Sequence, residues 1–262
     1  MKTQKLLISA SVALGSLLCM TTTAKAANFT TNYTPNNPDP KADIWLQSIT
    51  QNGQTFGNFS LVESAILRSS QVRLGPASTD RGDNASSPYA PNETPTNQQI
   101  AAFLGNRNLN NIIDTEDDDS FNLDIFFDRN IRADNTGLDN LFFWERGKNS
   151  DLRIQALDGA GNLIGNALTL FRANQGNGGY SIDTTEIGGS QAVGTWGVTL
   201  GQLGVTELKG LKLTSNASFS GPDFKVVART TPEPGVILGL GTVATLAFFS
   251  RRGKKAALNS AN

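Results

Sequence analysis

The stretch SFNLDIFFD, residues 120–128, decides the fold class. Phe121, Leu123, Ile125 and Phe127 alternate with Asn122, Asp124 and Phe126. A period of two puts the first set on one buried face of a β-strand and the second on a mostly wet one. LFFWER, residues 141–146, continues in the same manner, and DLRIQALDGAGNLIG, residues 151–165, follows as two short apolar runs around Asp158-Gly159 and Gly161-Asn162. That spacing predicts a β-hairpin. Further strands are predicted at 167–172, 195–200, 205–214 and 223–228, with Gly-rich turns between them; in the last, Phe224, Val226 and Ala228 share one face. Many short strands at near-regular spacing predict an all-β domain, a two-sheet sandwich that is jelly-roll-like. One short helix interrupts the pattern in TNQQIAAFLG, where Thr96 caps the start, Gln99 completes a capping box and Gly105 closes the end.

Both ends of the 262-residue chain read as processing signals. Lys2 and Lys5 precede an apolar stretch from Leu6 to Met20, and Ala24 and Ala26 supply the small residues at the two positions a signal peptidase reads. Residues 1–26 are therefore expected to be a helical secretory signal, cut after Ala26. The only cysteine, Cys19, lies inside it behind Leu18, so the exported chain has no thiol. Taking the seven terminal Lys and Arg from 22, and Glu233 from 23 acids, leaves 15 basic and 22 acidic side chains at 27–231, a net charge of −7. Such a surface repels nucleic acid. Residues 27–42, rich in Asn, Thr and Pro, read as a polar, extended lead-in to a domain over 43–229.

The chain has no histidine. Without His or a retained Cys, nucleophilic sites of the Ser-His-Asp and Cys-His kinds and most zinc sites are excluded. A carboxylate pair cleaving a glycosidic bond is the remaining enzymatic option; the expectation is a protein that is not an enzyme. The densest acidic feature is Asp114, Glu116, Asp117, Asp118 and Asp119, placed directly before the strand at 120–128. Clustered carboxylates suit calcium, which takes six to eight oxygen ligands, although the spacing is not that of an EF-hand; a solvated acidic turn is the alternative. The loop at 134–140 has similar composition. Trp45, Trp144, Trp196 and Tyr180 raise a sugar-stacking reading, against which Trp144 and Trp196 sit in predicted strands and so read as core. Arg81-Gly82-Asp83 reads as a loop turn, and triplets such as Asn84-Ala85-Ser86 carry no functional weight.

Near the C-terminus stands TPEPGVILGLGTVATLAFFSRRGKK, residues 231–255. At about 1.5 Å per residue the apolar run 236–249 makes a helix of roughly 21 Å, short of the ~30 Å hydrocarbon core unless its flanks contribute. Arg251, Arg252, Lys254 and Lys255 then form the basic cluster that the positive-inside rule holds in the cytoplasm. Motif, short span and basic cluster, in that order, resemble the PEP-CTERM sorting signal of exported proteins in Gram-negative-type bacteria. The resemblance implies that Pro232, Glu233 and Pro234 form the recognition motif, that 236–249 holds the chain transiently in the inner membrane, and that Arg251 and Arg252 retain it there until an exosortase cleaves near the motif. The tail beyond Arg252 is longer than is common for such signals.

The domain itself is similar to the exosortase-dependent surface proteins, in GPASTDRGDN, NLNNIIDTEDDDSFNLDIFFD, LFFWERGKNSDLRIQALDGAGNLIG, YSIDTTEIGG, TWGVTLGQLGV and GPDFKVVA. That group is defined by sorting and brings no assigned activity. The expectation is an exported protein of the cell surface or extracellular matrix, structural or adhesive, with signal peptidase and exosortase as processing partners and exopolysaccharide as surface partner. Residues 230–262 are its sorting signal. A calcium-assisted glycan-binding module and a carboxylate glycosidase are the alternatives.

Overall fold

The structure is a computed structural model and describes residues 29–71, 78–80, 95–115, 120–183 and 189–230. In chain order these form β1 (Phe29–Thr34), β2 (Trp45–Gln51), β3 (Gln54–Phe56), β4 (Phe59–Ser60), β5 (Val62–Gln71), β6 (Ser78–Asp80), α1 (Asn97–Leu104), β7 (Ile112–Asp114), β8 (Ser120–Arg132), β9 (Leu141–Arg146), β10 (Leu152–Leu157), β11 (Leu163–Leu170), β12 (Gly176–Ile182), β13 (Gln191–Val198), β14 (Glu207–Ser215) and β15 (Phe224–Arg229). All strand pairs are antiparallel. A mostly β fold with antiparallel sheets and one short helix is therefore what the described residues adopt.

The sheets number three among the described residues, against the two expected. One has the order β1-β2-β3, a second β11-β10-β14-β8-β5, and the third β12-β13-β9-β15-β7-β6, with β4 also pairing with β15. The third sheet lies in the middle. Its Leu141, Phe143, Trp196, Val198, Phe224, Val226 and Ala228 pack into one core with Phe121, Leu123, Ile125 and Phe127 of the five-stranded sheet. Its Phe142, Trp144, Val193 and Val227 pack into a second core with Phe29, Leu46 and Ile49 of the three-stranded sheet. Phe224, Val226 and Ala228 do share a face, as their spacing predicts.

Double coverage explains where period two fails. In β9 and β15 all six residues are buried, because a central sheet has no wet side and its strands read as continuous apolar runs. Burying one large apolar side chain contributes about 1.5–3 kcal/mol, so leaving Phe142, Trp144 and Val227 wet would forfeit an amount comparable to a domain's whole net stability, about 5–15 kcal/mol. A third layer, the β1–β3 sheet, covers them. It comes from the stretch read as a polar lead-in: residues 29–34 are β1, and Thr31 Oγ1 accepts the Trp144 Nε1–H at 2.9 Å.

Local signals hold where the chain turns. Asp158 closes the β10–β11 turn by accepting from the backbone N–H groups of Ala160 and Asn162, both at 2.9 Å. Gly161 there has φ +82°, which a glycine adopts without strain. Helix α1 carries the full Thr96–Gln99 capping box and ends at Gly105. It buries Ile100 and Leu104 against the core shared with β5 and β8.

The two-faced core makes a specific prediction. Phe142→Ala and Phe143→Ala, neighbours facing opposite layers, should each cost about 3–5 kcal/mol in denaturant unfolding, the usual range for a buried Phe. A near-neutral result for Phe142→Ala would mean the second face of the sheet is not covered.

Candidate functional site

Of the metal, cleavage and sorting candidates, Asp114 lies within the described structure. Glu116, Asp117, Asp118, Asp119, Ala24, Ala26, Pro232, Glu233, Pro234, Arg251 and Arg252 lie outside the described residues, as does the run 236–249. The structure adds a set of charged side chains buried at the ends of the central strands.

Asp114 ends β7 beside Arg146, the last residue of β9, and Asp223, which immediately precedes β15. Arg146 Nη2 donates to Asp114 Oδ2 at 2.9 Å and to Asp223 Oδ2 at 2.8 Å. Its Nε donates to the same Asp223 oxygen at 3.1 Å, and Asp223 Oδ1 accepts the Thr115 N–H at 3.1 Å. All three side chains are nearly sealed, with 1%, 7% and 11% exposure for Arg146, Asp114 and Asp223. Burial pushes the Asp223 carboxyl well above the usual carboxylate range, and the adjacent Asp114, by charge and by hydrogen bond, adds to this against the pull of Arg146.

This geometry decides what the cluster can do. Two carboxylates sharing one guanidinium nitrogen leave no room for a sugar and a water between them, so the pair is not the separated couple of a glycosidase. A calcium ion on the Asp114 carboxylate would sit beside a guanidinium, where like charges repel. What the cluster does is fix the base of the acidic stretch 116–119 to β9 and β15. Among the described residues no group of three or more acidic side chains has metal-binding geometry.

Glu145, the preceding residue, points to the other face of the same sheet. Gln175 Nε2 donates to its Oε2 at 2.8 Å. Opposite it on β13 stands Gly194, where a Cβ would lie 2.1 Å from Gln175 Oε1, so only glycine leaves the amide its place. Burial outweighs the hydrogen bonds from Gln175, Ser150 and the Lys148 backbone, and the Glu145 carboxyl is pushed up to about 8.

Lys225 of β15 is fully buried. Its Nζ donates to the Phe103 carbonyl near the C-terminus of α1 and to Asn106 Oδ1 at 3.2 Å. Burial drives the amine well below the usual lysine range.

The last strand ends in a clamp. Arg229 Nη1 and Nη2 donate to Asp134 at 2.6 and 3.1 Å, Nε donates to the Asp139 carbonyl at 2.9 Å, and the guanidinium lies 5.6 Å from the Phe56 ring centroid. Thr230 then bonds the Asn58 carbonyl through its N–H at 3.3 Å and its Oγ1 at 3.1 Å. Burial alone would raise the Asp134 carboxyl, but its hydrogen bonds with Arg229 and Thr136 and the Arg229 charge bring it down to about 2.

Trp144, Trp196 and Tyr180 are core side chains, whereas Trp45 is 43% exposed. Sequence reasoning passed over Arg146, Glu145, Lys225 and Arg229. Their signal was present: each is a charge inside or at the end of an otherwise apolar run, LFFWER or FKVVAR.

No protein-family model, no curated protein and no solved structure matches the chain.

Two outcomes follow from the electrostatics. The Glu145 carboxyl titrates at 4.5 when unfolded and about 8 when folded, so its protonated form supports the fold fully below the lower value and loses that support as pH rises through the higher. Glu145→Gln should flatten the fall in urea midpoint between these limits; an unchanged fall would refute the assignment. Arg229→Met should cost about 1.5–3 kcal/mol, the range for charge-assisted hydrogen bonds. It should also shrink the acid-side loss that Asp134 contributes as pH drops from 3.8 to about 2, since the Thr136 hydrogen bonds remain, read from unfolding curves at several acid pH values.

Proposed function

We propose that this is an exported surface protein, sorted by an exosortase through its C-terminal segment and serving as a structural or adhesive component of the cell envelope or of an exopolysaccharide matrix. The observation that carries the reading is the order of parts at the C-terminus. The last strand ends at Arg229, only Thr230 and Thr231 precede Pro232-Glu233-Pro234, and the apolar run and the Arg251-Arg252 pair follow. With two residues between the clamped strand and the motif in sequence, a cut near the motif would remove no residue of the sheet.

In this reading signal peptidase removes residues 1–26 after Ala26. Residues 236–249 then hold the chain in the inner membrane, with Arg251 and Arg252 on the cytoplasmic side. The exosortase cuts near the motif, and the domain passes to the cell surface or matrix. Arg229 supports this role mechanically: tension from the membrane segment falls first on Thr230 and on the Arg229–Asp134 pair, and β15 lies in the middle of its sheet. The domain is read as non-enzymatic and, with its net charge of −7 between 27 and 231, as having no nucleic-acid partner. The jelly-roll-like sandwich reading is supported by nested pairing, β9 with β15 in the central sheet and β10 with β14 in the five-stranded sheet, as in a long hairpin folded over on itself.

The test replaces Pro232, Glu233 and Pro234 by alanine in a host that has an exosortase. The expected outcome is an unprocessed precursor in the membrane fraction, against a released unaltered protein whose mass places its C-terminus near the motif. Equal release of both forms would contradict the reading.

A further inference from the structure

The stack of three sheets has two outward sheet faces, and they differ in kind. The face of the five-stranded sheet carries ion pairs: Arg68 with Asp124 at 2.8 Å, Arg132 with Glu207 at 2.7 Å and Lys209 with Glu63 at 3.7 Å. Among the described residues, strands β1, β2 and β3 of the three-stranded sheet carry no Asp, Glu, Lys or Arg, since 29–38 and 44–62 contain none; Asp39, Lys41 and Asp43 stand in the loop between β1 and β2. Charged residues make up about 25% of an ordinary soluble domain and are mostly exposed, so a sheet face whose strands carry none calls for a reason.

Strand register shows what stands there. Thr31, Ile49 and Phe56 turn toward the core, so the alternate positions Thr30, Asn32, Ser48, Thr50 and Thr55 face outward, and Thr34 lies opposite Trp45 at the end of the row. These side chains are fixed by bonds across the strands. Asn32 Nδ2 donates to Ser48 Oγ and Thr50 Oγ1, both at 3.0 Å; Thr50 and Thr55 hydroxyls meet at 2.8 Å; Gln47 Nε2 donates to Thr34 Oγ1 at 3.0 Å. Both amide hydrogens of Asn32 are thus spent within the sheet, and its carbonyl oxygen remains an acceptor for a ligand hydroxyl. Each Thr and Ser oxygen has one donor and two acceptor positions, more than these bonds use. Trp45, 43% exposed as a residue, adds the flat apolar plate.

We infer that this face binds a neutral polysaccharide. A pre-set row of hydroxyls and amides matches a chain of sugar hydroxyls, and an aromatic plate at its end matches the C–H face of a sugar ring. The charge pattern favours the class: the outward positions of these strands hold no Lys or Arg to attract uronate, phosphate or sulfate and no carboxylate to recruit a bridging cation, and the charges of Asp39, Lys41 and Asp43 stand in the β1–β2 loop rather than in the row. A protein partner would find one aromatic anchor and no apolar cluster around it. The inference gives a ligand class to the adhesive role proposed above and rests on that reading for its biological setting alone. The binding belongs to the purified chain, so its failure would leave the sorting reading intact.

The test incubates the purified full chain with insoluble cellulose, mannan and starch, and with alginate gel as the anionic comparison, all in EDTA. Retention on at least one neutral polymer is expected, unchanged between low and high salt. Trp45→Ala should weaken it at least about tenfold, the effect of losing an aromatic anchor, and Gln47→Ala should weaken it without changing the melting temperature. Leu163→Ala, an exposed apolar residue on β11, should leave it unaltered. Retention on none of the neutral polymers, retention only on alginate, or retention indifferent to both Trp45→Ala and Gln47→Ala would overturn the proposal.

Discussion

Strands β9 and β15 have no side that tolerates water, and the rest of the molecule is arranged to satisfy them. LFFWER and FKVVAR lie next to each other in register, Phe143 opposite Val226 and Phe142 opposite Val227. Pairing them in one sheet produces two apolar faces in place of one. The five-stranded sheet covers the first with Phe121, Leu123, Ile125 and Phe127, and the β1–β3 sheet covers the second with Phe29, Leu46 and Ile49. The β1–β3 sheet is therefore a structural layer, and its outer side packs against no other sheet among the described residues.

The same constraint places charge where it must be paired. A strand that is buried along its whole length carries its terminal Lys, Arg and Glu inside with it, and an unpaired buried charge costs several kcal/mol. Arg146 finds Asp114 and Asp223, Glu145 finds Gln175, Lys225 finds the end of α1, and Arg229 finds Asp134. Such pairs contribute little net stability compared with apolar replacements. What they do is fix position: Arg146 and Asp223 tie the base of the acidic stretch to the central sheet, and Arg229 ties off the last strand where the domain meets the C-terminal segment.

Much of this was legible in residue order, and the part that was not has a physical cause. Period two in SFNLDIFFD is visible because β8 has one outward face, where Asn122 and Phe126 are half-buried and Asp124 is buried and paired to Arg68. The capping box of Thr96 and Gln99 and the turn at Asp158 to Asn162 are local, so local residues specify them. The third sheet was not legible, because FTTNYT and WLQSITQ look like polar connecting segments until a second apolar face exists for Phe29 and Ile49 to cover. The charged clusters were invisible as sites for the same reason. Asp114 and Asp223 are 109 positions apart, and only the pairing of β15 with both β7 and β9 brings them together. Trp45 was singled out with the other aromatics, but its exposure depends on its place at the end of an outward face.

The central claim is that β9 and β15 are the doubly covered keystone of the fold. Amide hydrogen exchange, followed peptide by peptide, tests it most directly, because protection reports the free energy at which each segment opens. The account predicts that amides of β9 and β15, up to the clamped Arg229, exchange most slowly and only through global unfolding, with β1 and β2 protected alongside them and the exposed β11 opening earlier. Exchange in β15 as fast as in β11, or β1 and β2 unprotected while β9 stays closed, would contradict it.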